Sequence, residues 1–283
     1  MVSERARLLR IAVHLHIFYP HLWEELAGCV ENLPGCDLFV SLAGAGSGLK
    51  EEISRRFARV EFLEVRNAGY DVGPFFAFLE RIDLDAYDLV VKLHTKRDID
   101  NWVNYSYVRG GAWRRKLLGF CKSKAAAEGA ISLFDDSDVG MAASGFCILD
   151  EVSDADGVLS GLRSAVEEAM AKRGIPYAEY RFVAGTMFMA RASALKVLQG
   201  RVHAGEFEDT DGSVHDGTFA HVCERMLGCA IVGGGYKIAA FPAVSSFFAR
   251  TVRVRRVIFL LMRAVKRIML LRFDHAFDGF SGR

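Results

Sequence analysis

Up to residue 93 the chain alternates short β-branched, apolar runs with stretches of helical spacing. Arg10–Ile17 reads as a strand, and Pro20–Glu31 as a helix with Leu22, Trp23 and Leu26 on one face. Asp37–Leu42 is a second apolar run, followed by a turn at Ala43–Gly48 and a helix through Arg56. Val60–Val65 is a third strand. Gly73–Arg81 is a helix turning Phe75, Phe76, Phe78 and Leu79 to a core, and Tyr87–Leu93 is a fourth strand. Four short strands separated by helices predict a right-handed, mainly parallel βαβ sheet of Rossmann-like type, flanked by helices.

Beyond residue 93 the rhythm loosens. Trp113–Lys122 and Lys124–Phe134 have helical spacing, Val139–Ala143 and Gly145–Leu149 read as strands, and Val158–Arg173 is an amphipathic helix. Phe182–Ala190 reads as one strand and Ser193–Leu198 as a short helix, with an acidic loop at Gly205–Gly212. Thr218–Leu227 is a helix and Gly235–Phe241 a last strand. With no repeat or Pro-rich linker, residues 1–250 are expected to form one α/β domain, followed by a helix at 251–273 and a tail at 274–283.

Composition sharpens this at the C-terminus. The 283 residues are 51% apolar with net charge +1, which argues against a wholly basic, nucleic-acid-binding surface. Residues 251–273 nevertheless hold seven of the 36 Lys and Arg and no acid, which leaves 29 basic against 35 acidic residues elsewhere. A −6 globule therefore ends in a +7 segment. On a helical wheel Arg253, Arg255, Arg256, Arg263, Lys266 and Arg267 occupy a ~160° arc. Val254, Val257, Ile258, Leu261, Ala264, Val265, Ile268 and Leu271 lie opposite. That pattern suits a helix lying on an anionic membrane surface; packing on the globule is the alternative. The six cysteines fit no zinc spacing and read as reduced thiols in a cytoplasmic compartment; neither a secretory signal nor a membrane span is expected.

In open α/β sheets, ligands bind beyond the carboxyl ends of the strands. Polar clusters fall at three such ends: His14 and His16 with Tyr19; Asn67, Gly69, Asp71 and Gly73; and Lys92, His94, Thr95, Lys96, Arg97 and Asp98. Each taken alone also fits a turn or a cap, Gly69 giving a positive φ and Asp71 a helix N-cap. No G-x-G-x-x-G, Walker loop or G-x-S-x-G is present, so dinucleotide, P-loop and nucleophile-elbow chemistries are unsupported. Gly185 and Thr186 sit inside a predicted strand, a setting that marks close approach of a ligand or a backbone. Asp216 precedes a helix, as a cap or as a base facing a cleft. His221, Glu224 and Arg225 share a face of that helix. Trp113, Arg114 and Arg115 open a helix after Gly110-Gly111, as a solvated basic face or as acceptor contacts.

VHLHIFYPHLWEEL, RNAGYDVGPF, VKLHTK, WRRKLL, GTMFMAR and DGTFAHVCER, in this order over roughly residues 10–245, resemble the rhamnan synthesis protein F family. The resemblance implies a GT-A-like glycosyltransferase of bacterial surface polysaccharide (O-antigen or cell-wall glycan) synthesis. Its expected partners are a nucleotide-sugar donor, a lipid-linked glycan acceptor and other assembly glycosyltransferases at the inner face of the cell membrane. GT-A enzymes hold a divalent metal with Asp-x-Asp after the fourth strand, where this chain has His94-Thr95-Lys96. The resemblance thus implies a metal-free site, with Lys96 and His94 steadying the departing diphosphate. His14, His16, Asn67, Gly69, Asp71, Gly73, Thr95, Gly185 and Thr186 would then shape the donor pocket. Asp216 would be the base of an inverting transfer, and Trp113, Arg114, His221, Glu224 and Arg225 would stand at the acceptor or behind the site. No cofactor is expected. Asp98 and Asp100 are an alternative Mg²⁺ or Mn²⁺ site, a His14, His16, His94 and His215 cluster would make a metal-dependent hydrolase, and a non-catalytic scaffold subunit is the other rival.

Overall fold

In a computed structural model the described residues are 9–43, 47–103, 106–150, 159–209 and 217–242, with seven more between 254 and 265. The order of elements is β1 (Ile11–Ile17), α1 (Trp23–Glu31), β2 (Cys36–Leu42), α2 (Ser47–Arg56), β3 (Val60–Leu63), α3 (Val72–Leu79) and β4 (Leu89–His94). A small hairpin follows, β5 (Asn101–Val103) and β6 (Ser106–Val108), then α4 (Ala112–Leu117), α5 (Lys124–Ser132), β7 (Val139–Ala143), β8 (Ile148–Asp150) and α6 (Leu159–Lys172). The last are β9 (Arg181–Val183), β10 (Phe188–Arg191), α7 (Ala192–Leu195), α8 (Phe219–Gly233) and β11 (Lys237–Ala240). Among the described residues, seven strands make one sheet in the order β11-β7-β10-β4-β1-β2-β3. All pairings are parallel except those of β10, which runs antiparallel to both β4 and β7.

This topology places the site. The chain leaves β1 toward β2 and β3, then crosses back to lay β4 on the other side of β1. Right-handed crossovers therefore put α1 and α2 on one face and α3 on the other, and open a crevice at the carboxyl ends of β1 and β4. Register then sorts the side chains: His14 lies beside Lys92 and His16 beside His94, with Phe39 and Ser41 beside the same histidines on β2. Alternation sends all six to one face. There α3 covers them, Phe78 stacking on His14 at 5.0 Å and Phe75 lying 5.6 Å below the Lys92 ammonium. Val13, Leu15, Val91 and Leu93, on the other face, are buried in the hydrophobic core.

One expected element is corrected. Phe182–Ala190 is not one strand: β9 pairs with β8 outside the main sheet, and β10 joins β4, with a turn between them. Gly185 (φ +77°) and Thr186 (φ +48°) are both left-handed there, which no strand accommodates. The strand expected at Gly145–Leu149 is present as β8, shifted to Ile148–Asp150 and paired outside the main sheet. The β5–β6 hairpin was not anticipated. The expected helix at 251–273 lies mostly outside the described residues.

Candidate functional site

Lys92 is the centre of the polar layer. It is wholly buried, an uncommon state for lysine, and its ammonium reaches Asp71 Oδ2 at 2.5 Å and Thr186 Oγ1 at 2.8 Å. The Thr186 hydroxyl also donates to the same carboxylate oxygen. Asp71 stands at the first turn of α3, yet its side chain makes no cap hydrogen bond, so its carboxylate serves the layer rather than the helix. Burial alone would push the Asp71 carboxyl up, but the Lys92 ammonium in contact with it, with Lys96 nearby, outweighs burial and holds the group well below the usual carboxylate range.

The histidines continue the layer as neutral groups. Ser41 Oγ bridges His14 Nε2 at 3.1 Å and His16 Nδ1 at 3.0 Å. Burial, against a partial pull from Asp71, lowers His16 to about 4. Burial, reinforced by Lys92, takes His14 well below its usual value. Burial does the same for His94 despite Asp71. His94 is 2% exposed, and among the described residues neither ring nitrogen has a hydrogen-bond partner; Asp71 Oδ2 is 3.5 Å from Nδ1. A buried polar atom left unsatisfied costs about 1–3 kcal/mol. Asp71, 16% exposed at its side chain, is where the layer approaches the surface.

The surrounding loops fix this geometry. Gly69 N–H donates to Glu208 O, Ala68 bridges Asp209, and Arg66 pairs with Asp209 at 2.8 Å, so residues 207–209 brace the loop that presents Asp71. A side chain at Gly73 would lie 2.1 Å from Ala68 O, and one at Gly69 would lie 2.5 Å from the Phe207 ring; both glycines allow backbone to pack closely. Gly185 N–H donates to Glu224 Oε1 at 2.7 Å, and a side chain on Gly185 would strike Leu117 at 2.8 Å. Glu224 thereby sets the turn that delivers the Thr186 hydroxyl. Arg225 pairs with Glu224 at 3.0 Å and lies over Phe182, so it stiffens the wall.

The other expected residues divide between scaffold and surface. Thr95 accepts from the backbone of Phe18 and Tyr19 and donates its own N–H to His16 O, locking the exit of β1. Trp113 is buried under the Gly185 turn. Arg114 is not a solvated face: it holds Glu25, Asp98 at 2.7 Å and the Lys96 carbonyl at 2.9 Å. His221 Nδ1 lies 2.8 Å from Thr218 Oγ1, and its ring packs 5.6 Å from Tyr70. Asn67 is exposed beside Ala68. Lys96 is half-buried past the end of β4 and acts electrostatically on Asp71, Lys92 and His94. Asp216 and His215 lie outside the described residues.

The Asp98 and Asp100 carboxylates are both engaged within the protein. Asp98 is committed to Arg114, and Asp100 accepts the Gly110 N–H at 2.9 Å. Among the described residues no three His, Cys, Asp or Glu side chains gather closely enough to hold a metal.

Sequence reasoning placed Lys92 in the cluster closing β4 but gave it no role in the site, and missed Ser41. The signal was present: Lys92 precedes His94 by two residues on a strand, as His14 precedes His16.

The fold and site define an α/β protein with a buried ionic and imidazole layer at the switch point of a mainly parallel sheet. The family model described as rhamnan synthesis protein F (RgpF) matches residues 2–236. The chain belongs to that family, which links it to rhamnan and polysaccharide synthesis. It is also 30% identical over 190 residues to WxcX, a protein described as uncharacterised, from Xanthomonas campestris pv. campestris strain B100, and equally so to WxcX of strain ATCC 33913. The match covers 66% of this chain but 26% of those curated relatives, so the chain spans about a quarter of their length.

Proposed function

We propose that the chain is a GT-A-like glycosyltransferase, moving a sugar, rhamnose among the candidates, from a nucleotide-sugar to a lipid-linked or growing surface polysaccharide. The observation that carries this reading is the convergence of Lys92, Asp71, Thr186, His16 and His94 at the carboxyl ends of β1 and β4, with Lys96 beside them. Strand order reverses at that point, where open α/β sheets bind their ligands.

In the proposed reaction Lys96 draws the donor diphosphate to the rim of the layer and stabilises the charge that develops as the bond to the sugar breaks. His94, being neutral, adds no charge to that stabilisation. The acceptor hydroxyl oxygen bonds to the anomeric carbon, its proton passes to Asp216, and the nucleoside diphosphate departs with the bonding pair, inverting the centre. Asp216 belongs to the stretch between Asp209, bridged to Ala68, and the start of α8, whose His221 meets Tyr70.

The basic segment 251–273 is read as an anchor on the anionic inner face of the cell membrane, close to a lipid-linked acceptor. Five residues of its apolar stripe are described, Val254, Val257, Ile258, Leu261 and Val265, and each is at least 49% exposed. Such a stripe suits the headgroup boundary. No helix of the described residues is long and apolar enough to cross a membrane.

The test is transfer of labelled sugar from a panel of UDP-, dTDP- and GDP-sugars to lipid-linked glycan by the wild type, Asp216→Ala and Lys96→Ala. Transfer by the wild type, lost in both variants while their melting temperatures hold, is expected. Equal glycan output from all three would overturn it.

A further inference from the structure

We propose that Asp71 and His94 form a subsite that reads the hydroxyl groups of a neutral sugar, rather than part of the diphosphate site. This rests on the transferase reading in placing the sugar of the donor there, and extends it by dividing the site between two chemistries.

Three observations carry it. First, His94 is enclosed and among the described residues neither of its ring nitrogens has a partner, whereas Ser41 takes one nitrogen of His14 and one of His16 on the same face, leaving Nδ1 of His14 open. A neutral imidazole holds one donor and one acceptor, and buried polar groups are normally paired. The second is charge. Lys92 and Asp71 neutralise each other at 2.5 Å, so the layer offers no net positive charge to a phosphate, and an anion arriving at His94 would meet the Asp71 carboxylate first. A cation would meet Lys92. A hydroxyl both donates and accepts, so it satisfies a carboxylate and an uncharged imidazole together. The third is position: Asp71 is the partly exposed member, and His94 Nδ1 lies 3.5 Å behind it. Lys96, for which no ion pair is seen among the described residues, stands two residues past His94, and we assign the phosphate to it and the sugar to Asp71 and His94.

Wild-type protein labelled with ¹⁵N-histidine, with the His94 signals assigned by His94→Gln, tests this directly. The probes are UDP, dTDP and GDP, the corresponding nucleotide-sugars, and free methyl glycosides at millimolar concentration. At least one nucleotide-sugar or glycoside is expected to shift the His94 ring nitrogens, with no shift from the bare diphosphates. In calorimetry His94→Leu should lose at least 10-fold of the affinity that the sugar adds to its diphosphate, with the diphosphate itself unchanged and His94→Gln retaining part of the gain. A His94 shift with bare diphosphate overturns the division, and no shift with any sugar means that His94 holds only a structural water. If glycosides move His94 but no nucleotide binds and no transfer occurs, the subsite stands and the transferase reading falls.

Discussion

The Lys92 ammonium and the Asp71 carboxylate meet at 2.5 Å beneath the first turn of α3, joining a strand on one side of the switch point to the loop that follows β3. Breaking a buried pair by removing one partner leaves the other charge uncompensated and costs about 3–5 kcal/mol. Lys92→Met should lose stability on that scale in urea denaturation, and adding Asp71→Asn should restore part of it. A single variant within about 0.5 kcal/mol of wild type, the range of ordinary surface changes, would show that the pair does not matter to folding.

Acid should weaken the fold earlier than carboxylates alone require. His16 faces Ser41, Asp71 and Lys92 and stays neutral in the folded chain down to about pH 4, whereas an unfolded histidine titrates near 6.5. The unfolded chain therefore binds the proton first. Stability is full above pH 6.5 and falls as pH drops from there to 4, by about 3 kcal/mol for His16 alone. His14 and His94, also lowered, act with the same sign, and Asp71 adds to the loss at lower pH. Urea midpoints at pH 8, 6.5 and 5 check this; a midpoint that stays level from 8 to 5 contradicts it.

Gly185→Ala should be severe. A methyl group there meets Leu117 at 2.8 Å in a backbone at φ +77°, and strain with overpacking together cost about 3 kcal/mol. Because the same turn positions Thr186, donor binding should fall along with the melting temperature. Ala at Gly205, where nothing lies within 4 Å, is the control and should change neither.

Arg114 ties Glu25 and Asp98 to the Lys96 carbonyl. Arg114→Ala should raise the KM for the nucleotide-sugar about 10-fold by freeing the segment that carries Lys96. Arg114→Lys should not rescue it, since one ammonium cannot replace a planar fork of donors. Unchanged KM in both variants would detach Arg114 from donor binding.

Much of this arrangement was legible in the chain. The alternation of strands and helices to residue 93 implied the parallel half-sheet, and the sheet rule placed His14, His16, Asp71 and His94 at one edge. The rest was hidden for physical reasons. Lys92 sits in an apolar run where a lysine is expected to reach solvent, and only pairing across β1 and β4 shows it facing Asp71. Phe182–Ala190 is continuous in hydrophobicity, so the turn at Gly185-Thr186 could be read only from the glycine. The antiparallel direction of β10 follows from that turn and from packing against β4 and β7, neither of which is local in sequence.

The most direct measurement is a thermal-shift and calorimetric titration of UDP, dTDP and GDP, with and without Mg²⁺ or Mn²⁺, against the wild type and Lys96→Ala. At least one diphosphate is expected to raise the wild-type melting temperature without added metal, and to bind Lys96→Ala at least 10-fold more weakly. No shift with any nucleotide, or equal binding by the variant, would contradict a diphosphate site at the carboxyl ends of β1 and β4.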